Sequence, residues 1–106
     1  KYTVLHICGD TLPILDQMAA TGVTGCSVEE KVTPEDAFAK VGGKTVLVGN
    51  VGSVRPLFQG TPAEVKEAAI RSAKAGFGVI SSGCGIAVAT PDENYEALVA
   101  AVKSLA

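Results

Sequence analysis

His6 and Cys8 lie one residue apart in Leu5-His6-Ile7-Cys8-Gly9-Asp10, and Cys84 stands between two glycines in Ser82-Gly83-Cys84-Gly85. In a strand, side chains at i and i+2 leave the same face, so His6 and Cys8 project together from the C-terminal end of a strand over 2–8. The same parity places Ser82 and Cys84 at the end of a fourth strand, where Gly83 and Gly85 leave bare backbone for close approach. Parallel α/β folds build their sites at that end of the sheet, so Cys84 is expected to meet His6 and Cys8. One imidazole and two thiolates suit Zn²⁺, which prefers nitrogen and sulfur in a tetrahedral array. Three protein ligands leave a position open. Structural zinc uses four ligands in closely spaced pairs, and no CxxC pair is present, so an open site is expected rather than a zinc knuckle or ribbon. Taken singly, a cysteine is more often an inert core residue and a lone histidine a satisfied one; the shared strand-end placement carries the reading.

Other residues have two readings each. Cys26 alternates with Val28 on the face opposite Ser27 and reads as core. Glu29 and Glu30 stand where the second strand ends, as an oxygen ligand or substrate contact, or as solvated loop acids. Asn50 ends the third strand and either orients a bound molecule through its amide or forms a turn before Gly52. Asp10 is expected to cap the first helix. Lys31 and Arg55 are anion contacts by charge alone.

These residues require a scaffold of alternating strands and helices. Val23 to Val28, Thr45 to Val48 and Phe77 to Ser81 are short apolar runs of the buried parallel-strand kind, each preceded by a glycine exit at Gly22, Gly42 with Gly43, or Gly76. Thr33-Pro34-Glu35-Asp36, Thr61-Pro62-Ala63-Glu64 and Thr90-Pro91-Asp92-Glu93 repeat a helix-entry signature: threonine to cap, proline at the first helical position, acids at the positive end of the dipole. The pattern predicts β 2–8, α 12–20, β 23–28, α 34–41, β 45–49, α 62–75, β 77–81 and α 91–105, with a helical turn at 54–58. In the last helix Tyr95, Leu98, Val99, Val102 and Leu105 form a stripe predicted to pack on the sheet. Right-handed crossovers then give four parallel strands, either a small doubly wound sheet or half of an eight-unit βα barrel. A whole barrel needs roughly 250 residues, and the sequence has 106. The strand-like run that begins directly after Lys1 reads as the middle of something longer, with residues 1–106 as a single βα region of a larger barrel domain.

Composition narrows the function. With 47% hydrophobic and 19% charged residues and a formal net charge of -2, the sequence is neither a disordered segment nor a polybasic nucleic-acid binder. Its apolar runs are strand-sized, well short of the roughly 20 residues of a membrane span, and neither a membrane span nor a secretory signal is expected. Three cysteines leave one unpaired in any intramolecular scheme, so reduced thiols in the cytoplasm are expected.

At these residues the chain resembles the methylcobamide:coenzyme M methyltransferases, zinc enzymes of the uroporphyrinogen decarboxylase-like superfamily of βα barrels. The likeness runs from Leu5-His6-Ile7-Cys8-Gly9-Asp10 through Pro13-Ile14-Leu15, Gly25-Cys26-Ser27-Val28-Glu29-Glu30-Lys31, Val48-Gly49-Asn50-Val51 and Gly83-Cys84-Gly85-Ile86 to Thr90-Pro91 and Asn94. It implies an α/β fold of four βα units, the C-terminal half of a TIM-type (β/α)8 barrel. It also implies that His6, Cys8 and Cys84 are zinc ligands, with Glu29 and Glu30 near the site and Asn50 in the pocket. The implied activity, in a setting of methanogenesis, moves a methyl group from a methyl-corrinoid carried by a partner protein to the thiol of coenzyme M through a zinc-activated thiolate. Porphyrinogen decarboxylases carry Gly-His-Gly where this chain has Gly83-Cys84-Gly85 and lack the His-x-Cys pair. The alternatives are a decarboxylase-like tetrapyrrole enzyme, a non-catalytic zinc-binding half-barrel, and methyl transfer to another acceptor such as homocysteine. A half-barrel has raw edges, so either the missing N-terminal half or a second copy is expected to pair with it.

Overall fold

The computed structural model describes residues 1–105, and each of the four apolar runs becomes a strand. The order is β1 (Val4–His6), a 3₁₀ turn (Leu12–Ile14) leading into α1 (Leu15–Ala20), β2 (Gly25–Ser27), α2 (Pro34–Val41), β3 (Val46–Val51), a helical turn (Ser53–Phe58), α3 (Pro62–Ala75), β4 (Val79–Ser82) and α4 (Asp92–Ser104). Strands β1, β2 and β4 are shorter than their runs, which continue into the flanking loops, whereas β3 extends past its run to Val51.

Two of the three threonine-proline entries act as their chemistry predicts. The Asp36 and Glu64 backbone N–H groups donate to Thr33 Oγ1 and Thr61 Oγ1, each at 3.3 Å, which satisfies an amide that the helix leaves free. The third does not. Helix α4 is capped by Pro91 without a side-chain bond, and Thr90 Oγ1 is buried with no partner among the described residues. Asp10 Oδ1 accepts from the Leu12 N–H at 3.2 Å, so this acid organises the entry to the first helical segment. At the end of α3, Gly76 takes φ +113°, a left-handed cap that glycine adopts without a Cβ penalty.

The strands form one parallel sheet in the order β1-β2-β3-β4. Sequential order with no reversal is the arrangement of a βα barrel segment; a doubly wound sheet would reverse direction at its switch point. The distribution of apolar side chains agrees. Leu5, Cys26 and Leu47 are register partners on one face, and that face packs against Leu15 and Met18 of α1 and Ala37 and Val41 of α2. Leu15 is fully buried and Leu47 2% exposed; truncating a buried leucine to alanine costs about 2–5 kcal/mol. A second cluster joins Val51, Leu57, Val65 and Ala69 to Leu98 and Ala101 of α4. Among the described residues no helix covers the opposite face. Val4, Val46 and Val79 lie on it, 59%, 42% and 49% exposed.

Helix α4 departs from expectation. Its buried side chains are Asn94, Leu98 and Ala101, while Val99 and Leu105 are exposed. Leu98 of the predicted stripe is buried, but the buried line through Asn94, Leu98 and Ala101 is turned by one residue, about 100°, from Tyr95, Val99 and Val102, because α4 packs mainly on α3 and the 53–58 turn, in a cluster that takes in Val51 and Ile80 of the sheet. Asn94 joins the buried side for a polar reason. Its Nδ2 donates to the carbonyls of Leu57 at 2.8 Å and Gly60 at 3.1 Å, so it ties α4 to the turn.

Among the described residues no helix is long and apolar enough to cross a membrane.

Candidate metal centre

Strands β1 and β4 are the two edges of the sheet. Three strand spacings of about 4.8 Å would put their ends roughly 14 Å apart, yet Cys8 Sγ and Cys84 Sγ are 3.4 Å apart. The loops after the two edge strands close that gap by folding inward over the ends of β2 and β3. Gly83 makes the crossing possible: its N–H donates to Val51 O at 2.7 Å, and a Cβ there would lie 2.9 Å from Glu29 Cα and 2.8 Å from Glu30 Oε1. Cys84 is then pinned from two sides. Its backbone N–H donates to Ser53 Oγ at 3.1 Å, and Ser82 Oγ donates to its carbonyl at 2.8 Å. Ser53 is itself held, its N–H donating to Glu30 Oε2 at 3.1 Å.

His6 Nε2 lies 3.3 Å from Cys8 Sγ, and the ligand atoms of His6, Cys8 and Cys84 all fall within 4.8 Å of one another. The cysteines are free thiols, since their sulfurs are well beyond the bonded distance of about 2.05 Å. Donors around a tetrahedral zinc, with Zn–S about 2.3 Å and Zn–N about 2.0–2.1 Å, are separated by about 3.6–3.8 Å. The separations of 3.3 and 3.4 Å need a few tenths of an ångström of spreading, and His6 and Cys84 lie within 4.8 Å of each other, so the donor set suits that ion in chemistry and comes near it in spacing. His6 and Cys8 are exposed and Cys84 half-buried, which leaves one side of the cluster open to solvent.

The electrostatics favour a cation. The hydrogen-bonded and nearby Cys84 sulfur raises the Cys8 thiol above its ordinary range, with burial and the Glu29 carboxylate adding to the effect. A thiol such as Cys8, beside a second sulfur and a carboxylate, resists ionising unless positive charge sits nearby.

The remaining candidates separate. Glu29 is largely buried and faces Lys31 Nζ at 4.0 Å, and its charge reaches Cys8. Glu30 turns to Ser53. Asn50 faces the helix layer: its Nδ2 donates to Val32 O at 2.7 Å and Glu29 O at 3.3 Å, and its Oδ1 accepts from Ser72 Oγ of α3 at 3.1 Å. Parity from Val46 and Val48 would have put it on the open face. The alternation breaks at Gly49, whose φ of +132° is left-handed territory and whose Cβ, if it had one, would meet Val28 O at 2.6 Å. Arg55 pairs with Glu64 at 3.5 Å, and Cys26 is fully buried core. Ser27 and Ser53 contact the ligand residues and had no signal in the sequence, because a single hydroxyl in a strand or turn has no periodicity or spacing to mark it.

The uroporphyrinogen decarboxylase (URO-D) family matches residues 1–105. Among curated proteins, the chain is 46% identical over 100 residues to the methylcobamide:CoM methyltransferase MtaA of Methanosarcina barkeri, covering 93% of this chain and 30% of that protein. It is 40% identical over 102 residues to the methylcobamide:CoM methyltransferase MtbA of Methanosarcina acetivorans, covering 96% and 30%. A solved methyltransferase structure from Methanosarcina mazei superposes with a TM-score of 0.95 at 43% identity, over 99% of this chain and 32% of that one. The chain therefore spans about 30% of the length of the curated relatives it matches.

Proposed function

The chain belongs to the uroporphyrinogen decarboxylase (URO-D) family, and from that premise we propose that it is the metal-holding part of a methyltransferase that moves a methyl group from a methylated corrinoid to a small thiol, coenzyme M. The observation that carries this reading is the convergence of His6, Cys8 and Cys84 at the C-terminal end of a barrel-type sheet. Relatives named for methylcobamide and CoM supply the donor and acceptor classes.

His6, Cys8 and Cys84 would hold zinc. When bound, the ion supplies the Lewis acidity that keeps an acceptor thiol, ordinarily protonated at neutral pH, in its nucleophilic thiolate form. The chain's own contribution is positional. Two loops bring the three donors together, and the exposed side of His6 and Cys8 leaves room for a small thiol and, beyond it, a corrinoid presented by a partner protein. Glu29 adds negative charge beside Cys8 and is the nearest candidate for a further contact to the metal or substrate. Lys31, mostly exposed next to Glu29, is a candidate for a sulfonate, whereas Arg55 is engaged by Glu64. Asn50 would act on the pocket through the backbone it holds, because its amide is occupied by Val32, Glu29 and Ser72. The uncovered valines of the sheet call for an apolar partner, either the other half of a barrel or a second copy.

Metal content tests the reading. The full-length protein is expected to hold about one zinc per chain, lost in both His6→Ala and Cys84→Ser with circular dichroism unchanged; equal zinc in all three proteins would remove the ligand set. Methyl transfer from methylcobalamin to coenzyme M is expected to vanish in Cys84→Ser, and an unchanged rate there would overturn the activity.

A further inference from the structure

We infer that Ser27 is a positioning residue for His6, fixing which imidazole nitrogen faces the metal; this rests on the metal reading above. His6 and Ser27 are direct register partners in the β1–β2 ladder, so their side chains leave the same face of adjacent strands about 4.8 Å apart. His6 Nδ1 lies 3.0 Å from Ser27 Oγ, while Nε2 points the other way, 3.3 Å from Cys8 Sγ. Among the described residues this is the side-chain hydrogen bond that Ser27 makes.

The chemistry assigns a direction to that bond. An imidazole nitrogen that donates its lone pair to a metal carries no proton, so the neutral ring must keep its proton on the other nitrogen. With Nε2 turned to the thiols, the proton belongs on Nδ1, and Ser27 Oγ is the acceptor waiting for it. The hydroxyl thereby selects the Nδ1–H tautomer and restricts rotation of a ring that is otherwise exposed. Partners of this kind typically change metal affinity by about 10- to 100-fold when removed. Backbone pairing, rather than a mobile loop, holds Ser27 in place, so the ring is aimed before any metal arrives.

The test is zinc affinity of the full-length protein, measured by competition with a chromophoric chelator, for wild type, Ser27→Ala and Ser27→Thr. Ser27→Ala is expected to keep one zinc per chain but bind it about 10- to 100-fold more weakly. Ser27→Thr keeps a hydroxyl on a residue that strands accept readily, and is expected to recover most of the loss. Cobalt(II) substitution provides a second readout: the thiolate-to-cobalt absorption should persist in Ser27→Ala, because both sulfurs remain. Equal affinity in wild type and Ser27→Ala would overturn the inference and leave the ligand set standing, and so would equal weakening by alanine and threonine. Wild type that binds no zinc would instead overturn the metal reading, and this inference with it.

Discussion

At the scale of single residues, the three cysteines have divided into two chemical roles that their environments explain. Cys8 and Cys84 face each other at a solvent-accessible strand end, whereas Cys26 is fully buried in the helix-side core. Burial raises the Cys26 thiol above its ordinary range, with a hydrogen bond involving Thr45 opposing that shift. A thiol held neutral in the folded protein but free to ionise in the unfolded chain stabilises the fold fully below the unfolded value. That contribution is lost as pH rises through the folded one. The urea midpoint is therefore expected to fall between about pH 8.5 and the raised value, and Cys26→Ala should flatten that alkaline decline. Equal slopes in the two proteins would show that Cys26 stays protonated in both states or is not the group responsible.

At the scale of elements, Asn50 does more for the fold than its place at a strand end suggested. Replacing it with alanine strips the Val32 carbonyl of its side-chain donor and the Ser72 hydroxyl of its acceptor in a buried setting. Each buried group left unpaired costs about 1–3 kcal/mol. Asn50→Ala is thus expected to lose about 2–4 kcal/mol of stability in denaturant unfolding while binding metal with unchanged stoichiometry; a loss below about 0.5 kcal/mol would show the network to be dispensable. The same residue marks where sequence reading stopped. Glycine exits and the threonine-proline entries at Thr33 and Thr61 were legible because capping is local chemistry, and the shared parity of His6 and Cys8 was legible because pleating is local geometry. Asn50 turns to the helix side because a single left-handed glycine, Gly49, interrupts that pleat, and no residue pattern announces a break of this kind. The stripe on α4 was misjudged for a different reason: apolar periodicity says that a face exists, whereas the partner it meets, here α3, is set by the whole chain. Ser27 became visible only with the β1–β2 register, which depends on residues 21 apart.

At the scale of the whole molecule, the sheet has one face under helices and one face bearing Val4, Val46 and Val79 in the open. Contiguous exposed apolar surface on that scale promotes association. The 106-residue region studied by itself is expected to sediment as concentration-dependent oligomers, shifting toward monomer when Val46 and Val79 are both changed to lysine. Monomeric behaviour of the unchanged sequence at all concentrations would mean that this face tolerates water. The meeting of Cys8 with Cys84 has a thermodynamic consequence as well. Their separation of 76 positions means that an ion bridging them would act as a clasp on nearly three quarters of the polypeptide, closing a long loop whose free ends carry considerable entropy. Because only the folded chain presents all three donors, occupancy and folding would be linked, so stripping the ion with a chelator should lower the melting temperature. Such a clasp would join the two loops that leave the outer strands, so its strength would report on how completely those loops meet.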